Sequence, residues 1–255
     1  DLQYCDFLFC MMDQLVNQAA KMRYMSGGAL KVPMVMRCPS GATNRGAQHA
    51  QSPETYFAHV PGLKVICPST AYDAKGMMKT AIRDDNPVIV FEHKLLYGSK
   101  RKEAGALNSA GEVPDGDYTV PFGKAAIRRE GKDITIVANL LMSYRAQEAA
   151  AELEKEGISC EIIDPRTLLP FDYETVVESV RKTGKLMIVH EDTYNCGWGA
   201  QVASYFAEHE IFLLDAPVVR VAAYDTPAPF SPVLENYVIP SKERIMEEAR
   251  KLARL

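Results

Sequence analysis

SGATNRGAQHAQSPETYFAHVPG, residues 40–62, lies between two short apolar runs, VPMVMR at 32–37 and LKVIC at 63–67. Runs of that length and character read as buried strands. The stretch between them holds two histidines, His49 and His59, with small residues around the first and few large aliphatic side chains. A polar loop leaving the carboxyl end of a parallel strand is where α/β proteins gather ligands. Reading residues 40–62 as such a loop sets the fold class as α/β and makes His49 the first candidate for chemistry.

The neighbouring sequence follows the same rhythm. Residues 9–25 carry apolar side chains at helical spacing, and Ser26-Gly27-Gly28 ends them as a helix stop. After the strand at 64–67, Ser69 is the expected N-cap of a helix over 71–83. Asp84, Asp85, Asn86 and Pro87 break that helix, and VIVFE at 88–92 has the unbroken apolar character of a strand covered on both faces. Between Tyr97 and Tyr118 the composition changes to a charge run at 100–103 followed by Gly, Asn, Ser, Pro and Asp. This marks a boundary, with a first domain over 1–110, a linker over 111–120 and a second domain over 121–255. The second domain alternates expected strands at 134–138, 159–164, 185–190 and 218–222 with helices at 144–157, 173–183, 200–209 and 241–252. That order implies a mostly parallel sheet.

Composition sets the outer limits. The 255 residues are 47% hydrophobic and 24% charged, with a net charge of −4. These totals give no electrostatic case for nucleic acid. No apolar run approaches the roughly 18–20 residues of a membrane span. Cys5, Cys10, Cys38, Cys67, Cys160 and Cys196 are scattered without a C-x-x-C pair. They read as buried, reduced thiols of a cytosolic-type compartment rather than disulfides or metal ligands. The chain opens at Asp1 with no basic region or cleavage site, and reads as beginning inside a domain.

Each candidate residue has two readings. His49 suits a general acid/base or an orienting donor, or equally a hydrogen-bonded loop histidine. His59 reads as a packed structural residue, and His209 as solvent-facing. Glu92-His93 and His190-Glu191 end strands, which makes them candidates to face a strand-end crevice and the domain boundary respectively, with ordinary strand-end packing as the other reading. Asp84-Asp85-Asn86 is either a hard-cation site of oxygen ligands or a solvated helix end. No Gly-x-Gly-x-x-Gly, Walker or Gly-x-Ser-x-Gly sequence is present.

An ordered series of motifs narrows the choice. It comprises YMSGG at 24–28, GAQHAQSPE at 46–54, HVPGLKV at 59–65, DAKG at 73–76, AIRDDNP at 81–87 and IDPRT at 163–167. Together they resemble the beta subunits of the thiamine-diphosphate-dependent first component of 2-oxo acid dehydrogenase complexes, and the resemblance spans the whole chain. It implies a partial transketolase-like pyrimidine-binding domain followed by a transketolase C-terminal-type domain. It also implies a heterotetramer of two alpha and two beta chains, with thiamine diphosphate between an alpha and a beta. The alpha chain then holds the diphosphate and Mg²⁺ through a Gly-Asp-Gly…Asn motif, which this chain lacks; Asp115-Gly116 has no matching Asn downstream.

By motif, His49 matches the active-site histidine that contacts substrate and lipoyl group, and Phe7 the aromatic that packs on the aminopyrimidine. Ala81, Ile82, Asp84 and Asn86 match residues around a structural K⁺, bound largely through main-chain oxygens. The family's glutamate that bonds the pyrimidine nitrogen falls upstream of Asp1. The resemblance implies oxidative decarboxylation of a 2-oxo acid such as pyruvate, with reductive acyl transfer to the lipoyl groups of a dihydrolipoyl acyltransferase core. Alternatives are an acetoin or branched-chain 2-oxo acid dehydrogenase beta subunit, or a non-catalytic assembly subunit. The implied compartment is the bacterial or archaeal cytoplasm, or the mitochondrial matrix in a eukaryote.

Overall fold

A computed structural model describes residues 1–97 and 111–255. The charge run at 100–103 and the end of the expected first domain lie outside the described residues. The chain begins with a helical stretch that changes pitch twice. Cys5–Met11 is a 3₁₀ helix, Asp13–Ala19 has π-type turns, and α1 (Ala20–Met25) is regular. This is four residues longer at its start than the apolar spacing predicts, because Cys5 and Leu8 are fully buried. There follow β1 (Val35–Ser40), α2 (Glu54–Ala58), β2 (Lys64–Ile66), α3 (Ala71–Ile82) and β3 (Val88–His93).

The remaining elements are β4 (Ala126–Arg129), β5 (Ile134–Ala138), α4 (Leu140–Glu154), β6 (Cys160–Asp164), β7 (Thr167–Leu169), α5 (Tyr173–Thr183), β8 (Leu186–Thr193), α6 (Trp198–His209), β9 (Val219–Ala223), α7 (Pro232–Val238) and α8 (Lys242–Ala253).

Two sheets result, in the orders β1-β3-β2-β7 and β4-β6-β5-β8-β9. The β1·β3, β2·β3, β5·β6, β5·β8 and β8·β9 pairs are parallel, and the β2·β7 and β4·β6 pairs antiparallel. β1 begins three residues later than the apolar run and takes in Pro39. It lies at a sheet edge, where a missing N–H costs no ladder bond. Three residues from the second half of the chain, β7, complete the first sheet along β2.

Strand alternation divides the second core into two faces. Val137, Ile163 and Ile188 join a cluster with Val176 and Val180 of α5, Trp198 of α6, Phe57 of α2 and Phe91 of β3 in the first sheet. Ile136, Ile162 and Met187 face the other way, against Ala146 and Ala149 of α4 and Ile245 and Leu252 of α8. The first cluster therefore runs without interruption from one sheet to the other. The end of the expected linker also docks on the first half. Tyr118 stacks on Tyr72 with centroids 4.6 Å apart, and Val120 is buried with Met77 and Val90.

The expected N-cap moves by one residue. Thr70 caps α3 by accepting the N–H of Asp73. Ser69 is spent elsewhere: its hydroxyl accepts the N–H of Leu140 and its carbonyl accepts the Tyr144 hydroxyl. All six cysteines are free, but Cys10 and Cys196 are exposed rather than buried. Among the described residues no helix is long and apolar enough to cross a membrane.

Candidate functional site

In-register pairing of β1 with β3 sets Ser40 opposite His93, so both strands end at one level and the His49 loop leaves from there. Gly41 follows at once with φ +89°, and a Cβ on it would lie 2.1 Å from His93 Nε2. The site is thus built on a close approach that only glycine permits.

His49 is half-buried. The rings of Tyr4 and Phe7 both meet it edge-on, each with its centroid 5.4 Å away. The structure brings together two sequence-predicted site residues, His49 and Phe7, although they are 42 positions apart in the chain. Phe7 remains 37% exposed. The Lys94 ammonium donates to the His49 carbonyl and lies 4.7 Å from the Tyr4 ring centroid. Burial depresses the Lys94 pKa, with Arg45 pushing the same way against Cys5 and Asp6. Arg45 donates to the Tyr4 hydroxyl at 3.0 Å. Asp6, 7% exposed, accepts the N–H of Gln51 at 3.2 Å and so ties the 3₁₀ helix to the far side of the loop.

Carboxylates from the second half hold the near side. Glu191 accepts the N–H of Ala42, and its other oxygen lies 2.9 Å from His93 Nε2. Burial works to raise the Glu191 pKa. The His93 contact, the Ala42 N–H and Arg145 outweigh it and hold the carboxyl below its usual range. Glu235 accepts the N–H of Asn44, with its oxygens at 2.8 and 2.9 Å. Next to them, Thr55 donates to Asp192, and burial lifts Asp192 to about 6. Glu54 is raised as well, first by burial and then by Asp192. A cleft of about 720 Å³ runs along the loop's other flank, between Ala47, Gln51 and Tyr56 on one side and Asp192, Asn195 and Ala228 on the other.

Other expected residues fall differently. His93 and Glu191 do face one another across the boundary. His190 is buried, its Nδ1 3.0 Å from the Asp192 carbonyl, and burial lowers it to about 4. His209 is exposed, as expected. His59, expected to be packed, is exposed instead and lines a second cavity of about 600 Å³ with Phe171, Tyr173 and Trp198. The side chains of that segment that enter the core are Phe57 and Val60.

Ala81, Ile82, Asp84 and Asn86 lie at the end of α3, just before β3 begins. They are a strand's length, roughly 20 Å, from the His49 loop. Asp84 pairs with Lys64 and accepts both N–H groups of Asn86 at 2.8 Å. Burial works against its ionisation, yet these bonds bring its pKa below the usual value. Tyr4, Asp6, Lys94 and Glu235 were not singled out by sequence. Lys94 directly follows His93 in a strand-end pair, which was the available signal.

The chain matches the family models described as the transketolase pyrimidine binding domain, over residues 1–100, and the transketolase C-terminal domain, over residues 123–245. It is 48% identical over 252 residues to the beta subunit of acetoin:2,6-dichlorophenolindophenol oxidoreductase of Cupriavidus necator, covering 98% of this chain and 72% of that one. With the Rickettsia felis pyruvate dehydrogenase E1 component subunit beta it shares 43% over 254 residues, covering 98% and 75%. With the 2-oxoisovalerate dehydrogenase subunit beta of Bacillus subtilis it shares 42% over 255 residues, covering 99% and 75%. Among solved structures, a split-gene transketolase described as an inactive beta4 tetramer superposes with a TM-score of 0.77 at 25% identity, covering 99% of this chain and 74% of that one. The transketolase-type fold, the two domain matches and these relatives together establish that the chain belongs to the family of beta subunits of thiamine-diphosphate-dependent 2-oxo acid dehydrogenases.

Proposed function

We propose that this chain forms one wall of a thiamine-diphosphate site and that an alpha chain supplies the other, in an assembly of two alpha and two beta chains. The reaction is oxidative decarboxylation of a 2-oxo acid, pyruvate in the first instance, with the acyl group passed to lipoyl groups on a dihydrolipoyl acyltransferase core. The observation that carries this reading is the placement of His49 between the rings of Tyr4 and Phe7 at the strand-end crevice. The fit to the cofactor is good on this side. Phe7 is a partly exposed aromatic that would pack against the aminopyrimidine, and the small, exposed Ala47 leaves room for close approach beside His49, whereas Gly46 is covered by the Phe230 side chain. When bound, the cofactor supplies the nucleophilic carbon and the electron sink for decarboxylation.

This chain's residues orient and exclude water. Phe7 and Tyr4 wall the imidazole, and Lys94 fixes its backbone. His49 holds and moves a proton at the dithiolane sulfur as the acyl group is accepted. Mg²⁺ and the diphosphate fall to the alpha chain, since no Gly-Asp-Gly…Asn series is present here. The main-chain oxygens of Ala81, Ile82, Asp84 and Asn86 at the end of α3 would hold a structural K⁺ ion. The last carbonyls of a helix lack their regular intrahelical partners, and although the Ala81 carbonyl accepts the Asp84 N–H at 3.2 Å, its second lone pair would remain for a cation. The domain division at 1–110, 111–120 and 121–255 belongs to the same proposal. So does location in the cytoplasm, or in the mitochondrial matrix of a eukaryote.

The test is His49→Ala in the assembled component. The variant is expected to assemble normally and to lose acylation of a free lipoyl domain. Unchanged lipoyl acylation sinks the reading.

A further inference from the structure

The loop carrying His49 has no ladder to hold it. It passes through left-handed backbone at Gly41 (φ +89°), Asn44 (φ +58°) and Gly46 (φ +73°). Successive N–H groups in such turns converge on an anion. Here the anions are two carboxylates from the other sheet's side of the molecule. Glu191, near the end of β8, takes the N–H of Ala42, and Glu235 of α7 takes the N–H of Asn44.

Glu191 does more than accept one bond. His93 Nδ1 accepts the N–H of Leu95 at 3.2 Å, which leaves the ring proton on Nε2. That nitrogen lies 2.9 Å from the second Glu191 oxygen. Both oxygens of Glu191 therefore accept, and a glutamine would set an N–H against an N–H on one side. His93 and Glu191 side chains are 1% and 7% exposed, so water cannot take over the lost bond. One residue on, Lys94 grips the His49 carbonyl. The end of β3 thus holds both ends of the loop, at His49 through Lys94 and at Ala42 through the Glu191 carboxylate.

We infer that Glu191, with Glu235 in support, is a positioning residue for His49, so that the imidazole is correctly placed only when the second sheet is seated on the first. This rests on the reading of His49 as the acyl-transfer histidine. The competing role is a purely structural one, in which the carboxylates fasten the two halves together and have no effect on the site.

The experiment uses the assembled alpha–beta component with pyruvate or 2-oxoisovalerate, whichever the wild type turns over. Glu191→Gln, Glu235→Gln, Glu235→Ala and His49→Ala are compared. Two reactions are followed: dye-coupled decarboxylation with 2,6-dichlorophenolindophenol, and acylation of a free lipoyl domain. Glu191→Gln is expected to lose about ten- to a hundredfold in kcat for lipoyl acylation, the scale of a small misplacement. Its 2-oxo acid KM should stay within about threefold. Glu235→Ala should fall between Glu191→Gln and the wild type. Glu235→Gln, which keeps a carbonyl acceptor, should recover at least about half the wild-type rate.

A lowered melting temperature with unchanged kcat per assembled site overturns the inference. If Glu191→Gln does not assemble, equal rates for Glu235→Ala and Glu235→Gln overturn it. Full lipoyl acylation by His49→Ala defeats the site reading itself, whereas a dead His49→Ala beside an unimpaired Glu191→Gln defeats only the positioning role.

Discussion

Arg166 Nη2 lies 2.8 Å from Asp73 Oδ1, and this ion pair joins α3 of the first sheet's layer to the loop that leads into β7. Asp73 is fully buried and is also paired with Arg128 of β4, which in turn bonds Asp164 at 2.8 Å. Two guanidinium groups and two carboxylates thus meet beneath the boundary between the sheets. Burial raises the Asp164 pKa, while Arg128 opposes that rise.

Removing one member of such a cluster strands the rest. Asp73→Ala leaves Arg128 and Arg166 with Asp164 alone, and is expected to cost about 3–5 kcal/mol, the scale for breaking a buried pair. Urea denaturation of the assembled protein reads this as a lower midpoint. A shift below about 1 kcal/mol, the scale of an exposed pair, would show that the cluster carries little stability.

Gly41→Ala tests the close approach at the start of the loop. The new methyl group would meet His93 Nε2 at 2.1 Å, in a backbone conformation with φ +89°. The imidazole must move, and Glu191 loses its second bond. We expect a loss of about 1–3 kcal/mol, as for overpacking, together with reduced lipoyl acylation. A Gly41→Ala protein with wild-type activity and thermal stability would show that His93 is free to shift.

Asp192 and His190 oppose one another across one pH window. Asp192 is raised from 3.8 to about 6, so its contribution is full below about pH 3.8 and is lost as pH rises through about 6. His190 is lowered from 6.5 to about 4, so its contribution is full above about pH 6.5 and is lost as pH falls through about 4. In the wild type the two slopes partly cancel. Asp192→Asn keeps an acceptor for Thr55 but removes one slope, so stability should fall more steeply between pH 6.5 and 4 than in the wild type. Parallel pH–stability curves for the two proteins would contradict this.

The turn after α3 makes a prediction about salt. If main-chain oxygens at Ala81, Ile82, Asp84 and Asn86 hold K⁺, KCl should stabilise the protein more than NaCl or choline chloride at equal ionic strength. The gain is about 1–2 kcal/mol when K⁺ is ten to thirty times its dissociation constant. Asp84→Ala keeps the main-chain oxygen but removes the side chain that accepts both Asn86 N–H groups and fixes the turn, so it should reduce the difference. Identical melting temperatures in the three salts would show that no K⁺ is held at this turn, whose carboxylates Asp84 and Asp85 already pair with Lys64 and Lys31.

Local pattern showed the sheet-forming runs well. Val88, Ile89, Val90 and Phe91 are all buried in the first sheet, and the runs at β5 and β8 are buried likewise. Two strands escaped. β7 is three residues long and ends before Pro170, too short for any periodicity to register. β4 reads Ala-Ile-Arg-Arg, and its inward Arg128 pairs with Asp73 and Asp164, so burial there carries the signature of a surface strand. Ser69 was misread as a cap because its true partner, Leu140, is 71 residues away.

The site was legible in part for the same reason. His49 stood out through its small neighbours, and Phe7 was named by family resemblance for a separate role; the contact between their rings came only with the structure. The partners that fix it, Glu191, Glu235 and Lys94, act over 45 to 191 residues of sequence, and no local pattern announces such contacts.

The most direct measurement is a calorimetric titration of thiamine diphosphate and Mg²⁺ into the beta chain alone, into the alpha chain alone and into the two combined. Tight binding is predicted only for the combined chains, with Phe7→Ala weakening it. Tight, stoichiometric binding by the beta chain alone would contradict the account.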